Sequence, residues 1–199
     1  KESALWRGYP EETNAPYGIA KKALLVQAQA YRKQYGFNAI YLLLVNSYGP
    51  GDNFDLGSGH VLPAIIRKCL EAKARRSPTV ALWGTGRPTR EFLYVEDAAE
   101  SICLAAKHYD GAEPVNIGSG REVSIRAMAK TIQRLTGNRS RLVWDHGKPD
   151  GQPRRCLDTA RARDAFGWTA KTPLEEGLKR TIAWYAGKRG LPVPPLCRP

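Results

Sequence analysis

Nine consecutive residues, Asn38 to Asn46 (NAIYLLLVN), constrain this chain most. A near-continuous apolar run of that length is the pattern of a strand covered on both faces, which belongs in a parallel sheet flanked by helices. The segment before it fits a helix. Asn14 can cap it, Pro16 suits its first turn and Gly36 can end it. Between them Ala23, Leu24, Val26, Gln27, Ala30 and Tyr31 give a largely apolar helix of about five turns.

Beyond the run the same alternation continues. A polar, glycine-rich loop covers 47–60, and a helix is expected over 61–75. A short strand over 79–83 is followed by a Gly/Pro/Arg turn over 84–90. Another strand is expected over 91–95, a helix over 96–109 and a strand over 114–118. Ser124 caps a further helix that Gly137 stops. A short strand over 141–144, a loop over 145–156 and two helices over 159–166 and 173–188 complete the pattern. Residues 1–13 read as loop, and the Pro-rich end, 191–199, as extended chain. Strands alternating with helices indicate an α/β protein.

The 199 residues suffice for one large domain or two small ones. No segment approaches the roughly 20 apolar residues of a membrane span, and Lys1-Glu2-Ser3 precedes no apolar signal core. The first residue is not Met, and Met128 is the only one, so a start inside a longer reading frame or after processing is expected. Cys69, Cys103, Cys156 and Cys197 form no CxxC pair, which points to free thiols in a reducing compartment, the cytoplasm, and to no zinc site. The formal charge of +12 raises nucleic acid as a partner. Basic residues gather at Arg67, Lys68, Lys73, Arg75 and Arg76, and at Arg154, Arg155, Arg161 and Arg163. Neither cluster has the interleaved aromatics of a single-strand binder, so solvated helix faces and a few anion contacts are the better account.

Tyr17 and Lys21 stand four residues apart on one expected helix and so share a face. An ammonium one turn from a phenol favours the phenolate, the basis of an acid/base tyrosine. The spacing alone is common and equally describes a surface coincidence. Its context is ordered: Pro16-Tyr17-x-x-x-Lys21, then Asn46-Ser47-Tyr48-Gly49-Pro50 and Asp52-Asn53-Phe54. Next come Gly59-His60-Val61-Leu62-Pro63-Ala64, Trp83-Gly84-Thr85-Gly86 and Thr89-Arg90-Glu91-Phe92-Leu93-Tyr94-Val95-Glu96-Asp97. Asn116-Ile117-Gly118-Ser119-Gly120 and Lys148-Pro149-Asp150-Gly151-Gln152-Pro153-Arg154 close the series. From about residue 10 to 185 it resembles the extended short-chain dehydrogenase/reductases, and within them it is similar to the GDP-L-fucose synthase family of epimerase–reductases. His60 in its HVxPA setting and the KPDGxPR stretch favour that branch over generic sugar-nucleotide epimerases.

The resemblance implies the C-terminal portion of such a fold. Residues 1–50 would be a remnant of the Rossmann domain, 51–190 mainly the substrate-binding part, with some segments returning to the Rossmann sheet, and 191–199 a tail. It implies NADP as cofactor and a GDP-sugar as substrate. Tyr17 would donate a proton to the C4 oxygen, and Lys21 would bind the nicotinamide ribose. His60 would be the general acid of 3,5-epimerisation, an imidazole being able to give and take protons near neutrality. Tyr17, Lys21, Leu44 and His60 would lie along the cofactor, while Asn46, Val61, Lys68, Trp83, Arg90 and Lys148 would contact substrate. Taken singly, His60 also reads as an idle loop histidine, and Lys68 and Lys148 as solvated lysines.

Three departures stand beside these matches. The family's glycine-rich phosphate loop, catalytic serine and epimerase cysteine precede its tyrosine, and no residue here matches them. The Gly84-Thr85-Gly86 turn lacks the third glycine of a dinucleotide fingerprint. Leu44 stands where the family has proline. The expectation is a chain inactive alone, whose exposed strand and first helix need an N-terminal half or another chain to cover them. Two other readings remain at this point: a non-catalytic structural subunit of a larger assembly, and an enzyme for a UDP- or dTDP-sugar.

Overall fold

A computed structural model describes residues 1–198. In chain order the elements are α1 (Ala15–Tyr35), β1 (Leu42–Leu44), β2 (Ser47–Tyr48), α2 (Val61–Ala74), β3 (Thr79–Trp83), β4 (Thr89–Glu91), β5 (Leu93–Tyr94), α3 (Val95–His108), β6 (Val115–Ile117), β7 (Glu122–Ser124), α4 (Ile125–Thr136), β8 (Arg141–Asp145), β9 (Arg154–Arg155), α5 (Ala160–Phe166) and α6 (Leu174–Lys188), with short 3₁₀ turns near both ends. The α/β class expected from the alternation is the class observed. The chain divides into two compact units: Lys1–Val45 with Ala98–Gly120 and Leu157–Ala170, and Asn46–Asp97 with Arg121–Cys156 and Lys171–Pro199.

In the first unit, β1 and β6 pair in parallel, Leu42 against Val115 and Leu44 against Ile117. The apolar run is a strand only over Leu42–Leu44, which is partly exposed, not buried on both faces. Among the described residues β1 pairs with β6 alone, so little of this chain covers it. The same holds for α1. Only Ala15 and Leu25 are buried, whereas Leu24, Val26 and Tyr31 are about half exposed. Polar ties hold the helix instead: Arg32 donates to Asn38 Oδ1 (2.9 Å) and to the Asp110 carbonyl (2.6 Å), and Gln29 to the Ala112 carbonyl (3.0 Å). Gly36, left-handed at φ 63°, ends it as expected. Asn14 does not cap it. A 3₁₀ turn runs directly into α1, Asn14 leaves the extended conformation a cap requires, and its side chain donates to Glu11.

The second unit holds the larger core. β3 and β8 pair in parallel over their full lengths, Thr79 against Arg141 and Trp83 against Asp145. Ile66 and Cys69 from α2, Met128, Ile132 and Leu135 from α4, and Leu178 and Ile182 from α6 share one apolar cluster. Beside it β4 lies between β7, antiparallel, and β9, parallel. Ser124 caps α4, its Oγ accepting from the Ala127 N–H (3.1 Å), and Gly137 closes it in a left-handed conformation. The chain end is not simply extended. Pro195–Cys197 forms a 3₁₀ turn, Cys197 is buried, and its Sγ reaches the Leu135 carbonyl (3.6 Å). No disulfide joins the four cysteines among the described residues; burial pushes the Cys69 thiol up to about 12 and that of Cys197 to about 11.

Candidate functional site

Strand alternation decides where the second unit offers chemistry. Val80 and Leu82 point into the core, which turns Trp83, the last residue of β3, outward at 61% exposure. Two ammonium groups flank its ring. Lys68 Nζ lies 6.0 Å from the centroid and donates to the Ala81 carbonyl (2.9 Å); Lys148 Nζ lies at 5.5 Å. Burial lowers the pKa of Lys68.

The loop carrying Lys148 is fastened to the turn after β3. Both Asp150 oxygens accept from Thr85, one from its N–H and one from its hydroxyl, each at 2.6 Å. These bonds hold the Asp150 carboxyl below its usual range, the hydroxyl contributing most. Gly84 is required here: its φ is 73°, and a Cβ would run into the Asp150 carboxylate. Arg90 joins the same corner from β4, not from a turn as its surroundings in sequence imply. Its guanidinium donates to the Thr89 carbonyl (2.8 Å) and the Asp150 carbonyl (3.4 Å). Desolvation first, and then neighbouring Arg155, lower its pKa against the pull of Asp150. Trp83, Lys68, Lys148 and Arg90 are thus assembled around one anchored loop. An indole face edged by cations can receive a planar base and the anionic group attached to it. Thr85 and Asp150, which organise the corner, are not singled out by sequence; their signal is the pairing of the GTG turn with the KPD stretch.

His60 occupies the cap position of α2 with an extended backbone and an exposed side chain, and its carbonyl accepts from the Ala64 N–H (3.1 Å). Val61 follows, also exposed. The loop before them is cross-tied. Asp55 Oδ1 accepts from Gly57 N and Ser58 N, both at 2.9 Å, its carbonyl accepts from Gly59 N (2.8 Å), and Asn53 Nδ2 donates to Ser58 Oγ (3.0 Å). The closure brings Asp52 near His60. Asp52 Oδ1 accepts from Asn53 N (2.7 Å), while its buried Oδ2 has no partner. Burial raises the pKa of Asp52, opposed by the Asn53 bond and by His60. Asn46 is half-buried, its carbonyl accepting from Leu93 N (3.1 Å).

In the first unit Tyr17 is 65% exposed and Lys21 Nζ lies 5.5 Å from its ring. The Tyr41 hydroxyl donates to the Lys21 carbonyl (2.6 Å), and burial, then Tyr17, raises its pKa. Leu44 is half exposed, in register with Ile117. The predicted residues therefore fall into two sets: Tyr17, Lys21 and Leu44 in one unit, the other seven in the second. No group of three His, Cys, Asp or Glu side chains is placed to hold a metal among the described residues.

A sequence model of the NAD dependent epimerase/dehydratase family matches residues 3–118. The chain belongs to that family. Among its relatives, the probable GDP-L-fucose synthase 1 of Oryza sativa subsp. japonica is 47% identical over 184 residues, covering 92% of this chain and 56% of that protein. The crystal structure of a GDP-L-fucose synthetase from Naegleria fowleri superposes with a TM-score of 0.86 at 29% identity, over 96% of this chain and 60% of that one. That of a GDP-6-OMe-4-keto-L-xylo-heptose reductase from C. jejuni gives 0.86 at 28%, over 94% and 65%. The chain spans a little over half the length of the curated relatives it matches. The cofactor class of the family is nicotinamide. The three glycines that cradle a pyrophosphate are not among these 199 residues.

Proposed function

We propose that this chain is the sugar-nucleotide-binding part of an NADP-dependent epimerase–reductase acting on GDP-4-keto-6-deoxymannose. Residues 1–50 contribute to the cofactor side, and 51–190 mainly to the substrate side. The observation that carries the reading is Trp83 with its two flanking lysines and Arg90 around the Asp150-anchored loop. The similarity to proteins named GDP-L-fucose synthase supports the choice of substrate.

In this reading Trp83 faces the base, and Lys68, Arg90 and Lys148 neutralise the diphosphate. Asn46 hydrogen-bonds the sugar, beside Val61. His60 gives and takes the protons of 3,5-epimerisation, with the Asp52 carboxylate beside it. Tyr17 delivers the proton that the C4 oxygen gains on reduction, and Lys21 offers its ammonium to the ribose of the cofactor, near Leu44. A bound nicotinamide supplies the hydride. The pyrophosphate cradle has to come from a glycine-rich segment outside these residues, so the chain alone is inactive. With that segment supplied, Tyr17→Phe abolishes NADPH-dependent turnover of the 4-keto sugar; full turnover in the variant removes Tyr17 from the role.

The half-exposed apolar residues of α1 favour a second reading, a non-catalytic subunit covered by a partner. It predicts stable co-purification with that partner, unaltered by Tyr17→Phe or His60→Ala. A monodisperse monomer with bound GDP-sugar contradicts it.

A further inference from the structure

A cavity of about 330 Å³ opens between α4 and β8, walled by Arg126, Lys130, Gln133, Arg139, Arg141 and Trp144. It lies within the second unit and shares no side chain with the corner around Trp83. Its charge is one-sided. Three exposed arginines elsewhere in this unit meet carboxylates, Arg134 with Glu175, Arg154 with Glu122 and Arg180 with Glu176. The four cations of the groove make no ion pair among the described residues. Like charges held together repel, and an anion among them relieves that repulsion.

The groove is also firmly built. Gln133 Nε2 donates to the Ser140 carbonyl (2.5 Å), Asn138 Oδ1 accepts from Ser140 N (2.6 Å), and Ser140 Oγ donates to the Ser77 carbonyl (2.6 Å). These bonds fix the backbone between Arg139 and Arg141. The indole of Trp144 packs against Gly86, where a Cβ would strike the ring, and the Arg126 guanidinium lies 4.8 Å from the ring centroid. Arg126 also donates to the Thr85 carbonyl (2.5 Å).

We propose that this groove is a second anion site, for a small oligophosphate. Two arginine forks on a fixed backbone suit phosphate oxygens. Four positive charges exceed what one phosphate can neutralise, and the volume is at the small end for a ligand pocket. Free pyrophosphate and the diphosphate of a nucleotide share this chemistry.

The test titrates pyrophosphate calorimetrically into the full chain carrying Trp83→Ala and Lys148→Ala, which separates it from the proposed nucleotide corner. Arg139→Ala with Arg141→Ala removes only exposed side chains and leaves the Ser140 bonds in place. The expected result is saturable one-site binding at 0.15 M salt that the arginine pair weakens at least tenfold. Unchanged affinity in that variant, or sulfate binding as tightly as pyrophosphate at matched ionic strength, overturns the proposal. GDP binding no tighter than pyrophosphate assigns the site to free anion; tighter GDP binding assigns it to a nucleotide. A single-stranded oligonucleotide that binds tightest of all, with equal losses from Arg67→Ala and Arg75→Ala, overturns the small-ligand site in favour of a nucleic-acid face.

Discussion

Asp52 and Asp150 are both loop aspartates of the second unit, yet their surroundings push them in opposite directions. Asp150 accepts two short bonds from Thr85, which lower its pKa. A carboxyl whose pKa is depressed on folding stabilises the fold above its unfolded value, and that gain is lost as pH falls through the folded value. Asp52 is raised chiefly by burial, with one oxygen unpartnered. Its ionised form costs stability above the unfolded value, and the cost is relieved on acidification. Asp150→Asn should therefore lower the unfolding midpoint at pH 7 and Asp52→Asn should leave it unchanged or raise it. The Asp52 difference should fade as pH falls towards about 4, the ordinary carboxyl value, whereas the Asp150 difference should persist to there and fade only below it. Thermal melts at several pH values check this, and the same sign in both variants contradicts it.

At the scale of elements, most helices were legible because their end signals agree with their periodicity. α4 has Ser124 at its start and Gly137 at its end, and both act as expected. The misreadings have physical causes. Asn14 has the right chemistry for a cap, but the preceding turn denies it the backbone conformation. β4, β7 and β9 are only two or three residues long, too short to carry a period, and Arg90 consequently reads as part of a turn. α2 ends in a further unsignalled way: Arg76 takes the left-handed position at φ 53°, with Ser77 N bonded to the Ala72 carbonyl and Arg76 N to that of Lys73. Left-handed geometry costs a non-glycine residue about 1–2 kcal/mol. Arg76→Gly should gain up to about 1 kcal/mol after its larger unfolded entropy is offset. Ser124→Ala should lose about 1 kcal/mol with its cap. Denaturant titration of both variants measures the two effects, and a loss in the first denies the strain at Arg76.

For the whole molecule, the apolar run at 38–46 and the stripe of α1 have the composition of core, and the structure leaves much of both uncovered, in line with the expected exposure of that strand and helix. The composition of those segments describes more burial than this chain provides. Leu24, Val26 and Tyr31, each about half exposed, offer roughly 1 kcal/mol apiece to a covering surface, taking half of the 1.5–3 kcal/mol of full burial. The residues of the candidate site were mostly legible through their ordered motifs. What sequence did not give was the carboxylate scaffolding, because Asp52 and Asp150 act on residues that lie 8 and 65 positions away along the chain. The central claim is that the Trp83 corner receives a guanine nucleotide, and calorimetric titration of GDP and UDP into the full chain tests it most directly. GDP should bind more tightly than UDP and lose at least tenfold in affinity on Trp83→Ala. Equal binding of the two nucleotides, or GDP affinity untouched by Trp83→Ala, contradicts it.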